Sequence, residues 1–436
     1  MAYPDDVLKC HQPEQVFPAV GHCPGRHATG RSRDARDMPD IVFVLCSLVF
    51  VLVRIQMQRF LLLLLIVLAG CGGAAQPEIR ASLDVIDAVN AGDAPGFARA
   101  TAPRPFVFPA DHGPHPTYRT EWWYYTGNLT SATGRHFGFQ FTIFRQALSP
   151  EPVQRASDWA THTMYLGHLA LTDVAGEQFY AYDRLSRGAA GLAGATGEPF
   201  RVFLEDWSVT GSGPEGMQMH LRAAEGEIAL DLTLASTKPP VLQGEQGLSR
   251  KGSEEGNASY YYSLTRMATS GTIRVAGQSY TVQGLSWMDH EFGTSALDDD
   301  AVGWDWFAVQ LDNGWDLMFA RIRQADGSTS PFSHGSLIAP DGTTRHLDAD
   351  DLQIEALDTW RSPHSGATYP ARWRLTLPEA DLVLELVPYL ADQELPTNII
   401  YWEGAVEISG TQGGQPVQGS GYVELTGYVT AQPGRF

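Results

Sequence analysis

Residues 121–146, EWWYYTGNLTSATGRHFGFQFTIFRQ, decide the fold. Phe137, Phe139, Phe141 and Ile143 alternate with Gly138, Gln140 and Thr142, which is the period of two that a β-strand imposes. The TSATG run at 130–134 supplies turn residues between two strand-forming runs, so the stretch reads as a hairpin with one apolar face. Further strand candidates follow at 163–172, 178–182, 200–209, 217–223, 228–234, 259–267, 271–275 and 279–285. A second series opens at 303–323, GWDWFAVQLDNGWDLMFARIR, where Asp312-Asn313-Gly314 marks a turn between apolar runs. It continues at 336–339, 371–377, 382–388, 401–409 and 419–428. Helical periodicity is almost absent. The fold class is all-β, as barrels or sandwiches, and two tryptophan-rich opening hairpins point to a duplicated barrel.

The N-terminus speaks to compartment. From Met57 the chain reads MQRFLLLLLIVLAGCGG: a positive Arg59, a short apolar run and Leu68-Ala69-Gly70-Cys71. That is the pattern of a lipoprotein signal, with Cys71 as the lipidation site, and its apolar run is shorter than the roughly 20 residues a spanning helix needs. The expected product is a periplasm-facing lipoprotein of the bacterial cell envelope, the outer membrane favoured over the inner. Residues 1–56 then form an upstream extension, 57–70 the signal peptide and 71–115 a Pro-rich tether and leader with a short helical pattern at 83–89. Residues 116–295 and 296–436 are expected to be two domains. The four cysteines, Cys10, Cys23, Cys46 and Cys71, all lie at or before the lipidation site, so the mature body has no disulfide and no thiolate chemistry. With 30 Lys and Arg against 50 Asp and Glu, a formal charge of −20 excludes nucleic acid as a partner and leaves the lipid as the membrane attachment.

Residues 284–293, GLSWMDHEFG, hold the densest chemistry. Asp289, His290 and Glu291 are the catalytic candidates, and the flanking glycines suggest turns where strands end. On a regular strand Asp289 and Glu291 share one face and His290 takes the other, so the cluster is one site only if the chain turns there. Asp289 and His290 read either as an acid–base pair or as groups that hydrogen-bond backbone at the domain junction. No G-x-S-x-G, H-E-x-x-H, phosphate-loop or dinucleotide motif competes, and no cofactor or metal is expected. Asp111, His112 and His115 lie in the Pro-rich approach and are expected to be solvated.

Residues 121–129 (EWWYYTGNL), 238–247 (KPPVLQGEQG), 259–266 (SYYYSLTR), 284–293 and 421–428 (GYVELTGY) together resemble the AttH and carotenoid 1,2-hydratase family, in the branch described as predicted secreted hydrolases, over residues 116–429. The resemblance implies two lipocalin-like barrels in tandem, a ligand cavity near their junction and apolar substrates such as polyenes. It also implies hydratase or cyclase chemistry using a D-H-N-W-G-like run, which falls on Asp289, His290, Glu291, Phe292 and Gly293. Phe292 stands where those hydratases carry tryptophan, and residues 317–324, LMFARIRQ, lack their downstream Tyr-x-Asp. The ligand wall is expected from Glu121, Trp123 and Tyr125 on one strand face, Tyr260 and Tyr262, Trp287, Phe292, Trp304 and Trp306, and His168 if it points inward with Leu166 and Ala170; the alternative is that Glu121, Trp123, Tyr125 and His168 are barrel core, with Glu121 buried against a partner. The functional expectation is a binder of an apolar or isoprenoid-like ligand that acts as a hydratase or hydrolase by acid–base catalysis, the alternative being a non-catalytic periplasmic carrier.

Overall fold

The computed structural model describes residues 95–429, apart from 152–155, 296 and 299, together with Arg54 and Gln56. The expected signal peptide, the expected lipidation site Cys71 and the helical pattern at 83–89 lie outside the described residues. Ile79–Phe436 forms one compact unit that contains two antiparallel sheets.

The first sheet comprises β1 (Thr120–Ser131), β2 (His136–Ala147), β3 (Thr163–Asp173), β4 (Gln178–Arg187), β5 (Ala193–Gly197), β6 (Phe200–Leu204), β7 (Trp207–Ser212), β8 (Gln218–Glu225), β9 (Ile228–Ser236), β10 (Val241–Leu242), β11 (Leu248–Arg250), β12 (Ala258–Val275) and β13 (Gln278–Ser295). Its order is β4-β3-β2-β1-β13-β12-β9-β8-β7-β6-β5, and β6 curls back against β2, β3 and β4 to close a barrel. The second comprises β14 (Ala301–Leu311), β15 (Asp316–Gln324), β16 (His334–Ile338), β17 (Thr344–Asp348), β18 (Gln353–Arg361), β19 (Thr368–Leu377), β20 (Leu382–Pro388), β21 (Glu394–Pro396), β22 (Ile400–Gln412) and β23 (Gln415–Leu425), ordered β17-β16-β15-β14-β23-β22-β20-β19-β18. The sheets are two lipocalin-like barrels in tandem.

The duplication seen in the sequence is carried by topology. Each barrel's first strand lies between its second and its last, β1 between β2 and β13, β14 between β15 and β23. Each opening hairpin also buries an acid opposite an arginine, Glu121 facing Arg145 and Asp305 facing Arg321. Inward residues of β2, from Phe137 to Ile143, fill the first core with Trp123, Leu169 and Trp207, while Phe307, Trp373, Leu384 and Trp402 fill the second. The sequence predicted one apolar face for β2, yet Gln140 and Thr142 on its other face are equally buried. The second barrel covers them.

This contact between barrels, here called the seam, sets the outer faces of β1, β2, β3 and β13 against β14, β22 and β23. Tyr124, Tyr261, Trp287, Trp306, Ala405 and Tyr422 form its apolar cluster. The approach is close: a Cβ on Gly138 would lie 2.4 Å from that of Ala405. A buried ion cluster clamps one side, with Lys238 Nζ 2.8 Å and Arg266 Nη2 2.7 Å from the Asp316 carboxylate, to which Thr265 also donates at 2.9 Å.

Asp111, His112 and His115 are not solvated. Phe106 and Phe108 pack on the first core, and Ala110–His112 forms a 3-10 turn whose Asp111 and His112 are buried. The expectation failed because it weighed only local polarity, whereas the end of the first barrel offers partners to each polar group. Asp316→Asn leaves the buried Lys238 and the half-buried Arg266 without their counter-charge, so it is expected to cost about 3–5 kcal/mol, measured by urea denaturation; an unchanged midpoint would show that the clamp does not hold the barrels together.

Candidate functional site

Everything about the site follows from β13 running straight through the GLSWMDHEFG motif. The motif pairs with β1 along its whole length, Tyr124 opposite Asp289 and Trp123 opposite His290, and with β12 on its other side. Gly284 is therefore a close-approach position and not a turn, since a Cβ there would meet the Asn128 carbonyl oxygen at 2.1 Å. Without a turn, alternation sends His290 into the first barrel and Asp289 into the seam. The motif supplies two sites.

On the barrel side His290 is sealed among Trp123, Tyr262 and Phe292. Its Nε2 lies 2.9 Å from Glu121 Oε1, and its Nδ1 lies 3.0 Å from the Asp111 carbonyl oxygen and 3.2 Å from the Tyr262 hydroxyl. Glu121 also meets His115 Nδ1 at 2.8 Å and accepts from Arg145 Nε at 2.7 Å, while His115 Nε2 reaches Asp111 at 3.0 Å. His112 stays neutral because burial pushes it down to about 4; with Nε2 donating to the Glu215 carbonyl, its Nδ1 accepts from Tyr262 at 2.6 Å. Burial alone would raise Glu121, but His115, His290 and Arg145 outweigh it and hold the carboxyl well below the usual range. Burial likewise lowers His290, only partly opposed by Glu121, whereas His115 is raised because Asp111 and Glu121 overcome its burial.

His115, Glu121 and His290 also place ligand-type atoms within 4.8 Å of one another. A divalent ion does not fit this set well. Arg145 already balances Glu121 and Arg104 balances Asp111 at 2.5 Å, so an ion would bring uncompensated charge into a closed site. The cluster is a hydrogen-bonded plug that ties the leader to the barrel.

On the seam side the chemistry is opposite in kind. Asp289 accepts from Tyr261 at 2.5 Å, Ser263 at 2.6 Å and Trp287 at 2.7 Å, but among the described residues no arginine or lysine balances it. Burial raises its carboxyl to about 7 against these three donors. Across the seam Glu403 accepts from Tyr124 at 2.6 Å and Glu424 from Trp304 at 2.7 Å. These two acids are cross-strand neighbours, and burial raises both, Glu424 to about 7 and Glu403 well above the carboxylate range. Three carboxyls that favour their protons thus face an aromatic wall of Tyr124, Trp287, Trp304 and Trp306.

The residues expected at one site are divided. Glu121, Trp123, Tyr125, Tyr260, Tyr262, Phe292 and His290 belong to the first barrel and its leader. Asp289, Trp287, Trp304, Trp306 and His168 face the seam, where His168 Nδ1 meets the Tyr401 hydroxyl at 2.8 Å. His168 does share a face with Leu166 and Ala170, but that face looks toward the second barrel, because Leu169 and Leu171 fill the core. Glu291 is engaged by Lys251 and by Ser259 at 2.5 Å. Sequence reasoning missed Glu403 and Glu424; a lone Glu within the apolar strand runs IYWEGAV and GYVELTG was the available signal.

The buried neutral histidines set an acid limit on stability. His112, His136 and His334 are pushed down to about 4 and His168 to about 3 from 6.5, so the unfolded chain takes up protons that the fold refuses. Stability from these groups is full above pH 6.5 and is expected to drain away as pH falls toward 4. Melting temperatures recorded between pH 8 and pH 4 check this, and a flat profile contradicts it.

A family model described as AttH-like matches residues 99–428. An AttH protein of known structure from Nitrosomonas europaea is 36% identical, with a TM-score of 0.68, covering 76% of this chain and all of that one. Kievitone hydratase from Nectria haematococca shares the fold at 17% identity and a TM-score of 0.58, covering 77% of this chain and 97% of its own. The dehydratase asqC of Emericella nidulans is 22% identical over 237 residues, 49% of this chain and 65% of that enzyme, so the match spans less than two thirds of that relative. The chain belongs to the AttH-like family.

Proposed function

We propose that this chain is a hydratase or dehydratase that moves water across a carbon–carbon double bond of an apolar, isoprenoid-like molecule held at the seam. The observation that carries the reading is Asp289, a buried carboxyl without a cationic partner that holds a proton up to about pH 7 beside Trp287, Trp306 and Tyr124. In the hydration direction Asp289 delivers its proton to one alkene carbon, and the aromatic faces stabilise the cation left on the other. Water then bonds to that carbon and loses a proton to the Asp289 carboxylate, which restores the acid, so the sum is alkene plus water giving alcohol. Dehydration is the reverse. His290 has no part in these steps, because it lies on the opposite face of β13 and serves the first barrel.

Hydrolysis by the same acid is the nearest variant of this chemistry. A carrier of lipid or isoprenoid is the second reading, for which the aromatic wall of Tyr124, Trp287, Trp304 and Trp306 would serve without proton transfer. Export and lipid attachment through Cys71 belong to this proposal too. Cys71→Ser is expected to abolish incorporation of labelled fatty acid and release the protein from membranes; retention of the label would contradict anchoring there.

Native mass spectrometry of extracted protein identifies the bound apolar molecule, and incorporation of oxygen-18 from labelled water reads its turnover. Asp289→Asn is expected to lower that rate by about 10²–10⁴-fold. In the parent protein the rate should fall as pH rises through about 7, where Asp289 loses its proton. The folded state favours protonated Asp289, so this group's contribution to stability is full below the unfolded value of 3.8 and declines as pH rises through about 7. The asparagine variant should therefore fold at least as stably as the parent at pH 8. Undiminished oxygen-18 incorporation by the variant would leave the carrier reading in place.

A further inference from the structure

The seam carries more unmet polar groups than an apolar binding surface would tolerate. Five buried side-chain atoms lack a hydrogen-bond partner among the described residues, and four of them, Gln140 Oε1, His168 Nε2, Glu403 Oε2 and Tyr422 OH, belong to seam residues. Glu403 Oε2 has a neighbour in Glu424, with which it can share a proton. The other three have no such remedy. Gln140 spends its amide on Thr142 at 2.5 Å, and His168 spends Nδ1 on Tyr401. The Tyr422 hydroxyl lies toward Thr172 without reaching hydrogen-bond geometry, and Thr172, whose proton goes to Gln393 at 2.7 Å, could offer it an acceptor only.

Strand register places these groups together. Tyr124, Thr142 and His168 form one cross-strand row on β1, β2 and β3, with Gln140 beside Ala170 in the next. Opposite them, Tyr401, Glu403 and Ala405 share a face of β22, and Tyr422 pairs with Ala405 from β23. The small residues Gly138, Ala170 and Ala405 lie between. An open groove of about 630 Å³ between β4 and residues 390–396 borders this region, since its Phe179 and Ala181 pack against the cluster of Leu395, Ile399 and Tyr401.

We propose that Gln140, His168 and Tyr422, with the Glu403–Glu424 pair, form a polar subsite that binds a hydroxyl or carbonyl oxygen of the substrate. It follows that the substrate is an oxygenated apolar molecule and not a plain hydrocarbon. This rests on the reading of the seam as the substrate site. A buried group left unbonded destabilises a fold, and natural sites accept such a cost where a ligand supplies the missing partner. An alcohol can donate to the acceptor on Gln140 and can meet the amphoteric hydroxyl of Tyr422 or the free ring nitrogen of His168, whereas a carbonyl, which only accepts, serves the last two alone; an alkene meets none of them.

Two probes with one carbon skeleton test this on the full chain: geraniol and 2,6-dimethylocta-2,6-diene, its deoxygenated counterpart. Binding is read by quenching of seam tryptophan fluorescence. The parent protein is expected to favour the alcohol by about tenfold or more, the worth of one good hydrogen bond. Tyr422→Phe and Gln140→Leu should each erase most of that preference. Tyr422→Phe should also raise the melting temperature of the free protein by about 2 °C, since it deletes an unmet hydroxyl, whereas a hydroxyl with a structural or water partner would leave melting unchanged or lower. Equal affinity for the two probes, binding of neither, a preference that survives both substitutions, or no rise in melting temperature for Tyr422→Phe overturns the proposal. Loss of turnover in Asp289→Asn alongside any of these results would leave the acid-catalysis reading standing and remove only the subsite.

Discussion

The structure depends on one uninterrupted strand. β13 is hydrogen-bonded on both edges through Asp289, His290 and Glu291, so adjacent side chains have no choice but to face opposite ways. One face belongs to the first barrel and the other to the seam. Because the seam faces of β1, β2 and β3 are covered by the second barrel, these strands are buried on both sides, and polar groups on either side must find partners within the protein.

Two acids illustrate how differently that demand is met. Glu121 and Asp289 are similarly buried and lie on neighbouring strands. Glu121 is surrounded by Arg145, His115 and His290, which hold it ionised. Asp289 has only neutral donors, Tyr261, Ser263 and Trp287, and burial wins, leaving a carboxylic acid near neutral pH. The first arrangement suits a structural plug. The second suits proton transfer, and its repetition at Glu403 and Glu424 concentrates protonated carboxyls where the two barrels meet.

Much of the fold was legible in the residues. The period-two alternation from Phe137 to Ile143, the Asp312-Asn313-Gly314 turn and the paired tryptophan-rich hairpins marked tandem all-β barrels, and the AttH-like resemblance agreed. Residues 200–209 were read as one strand although they form the hairpin β6–β7, because a two-residue turn at Glu205-Asp206 carries no glycine or proline. Gly284 and Gly293 suggested turns because strand ends and close strand contacts both favour glycine, and sequence alone does not separate the two. The division of Asp289 from His290 was legible as alternation, since each outcome depended only on whether the chain turned. What covered the outer faces was not. His168 would point inward if the face it shares with Leu166 and Ala170 were the core face, and only the second barrel shows that β3 has two buried faces. Glu403 and Glu424 are hidden for the same reason, as their aromatic partners Tyr124 and Trp304 come from strands more than 100 residues away.

The central claim is that Asp289 is a protonated acid at the seam near neutral pH while the Glu121 cluster stays ionised. Carbon-13 NMR of protein labelled at the aspartate carboxyls, titrated in parallel with Asp289→Asn, tests it most directly. One resonance should titrate near pH 7 in the parent and be absent from the variant. If every aspartate carboxyl instead titrates below about pH 5, Asp289 is an ordinary carboxylate and the seam is not an acid site.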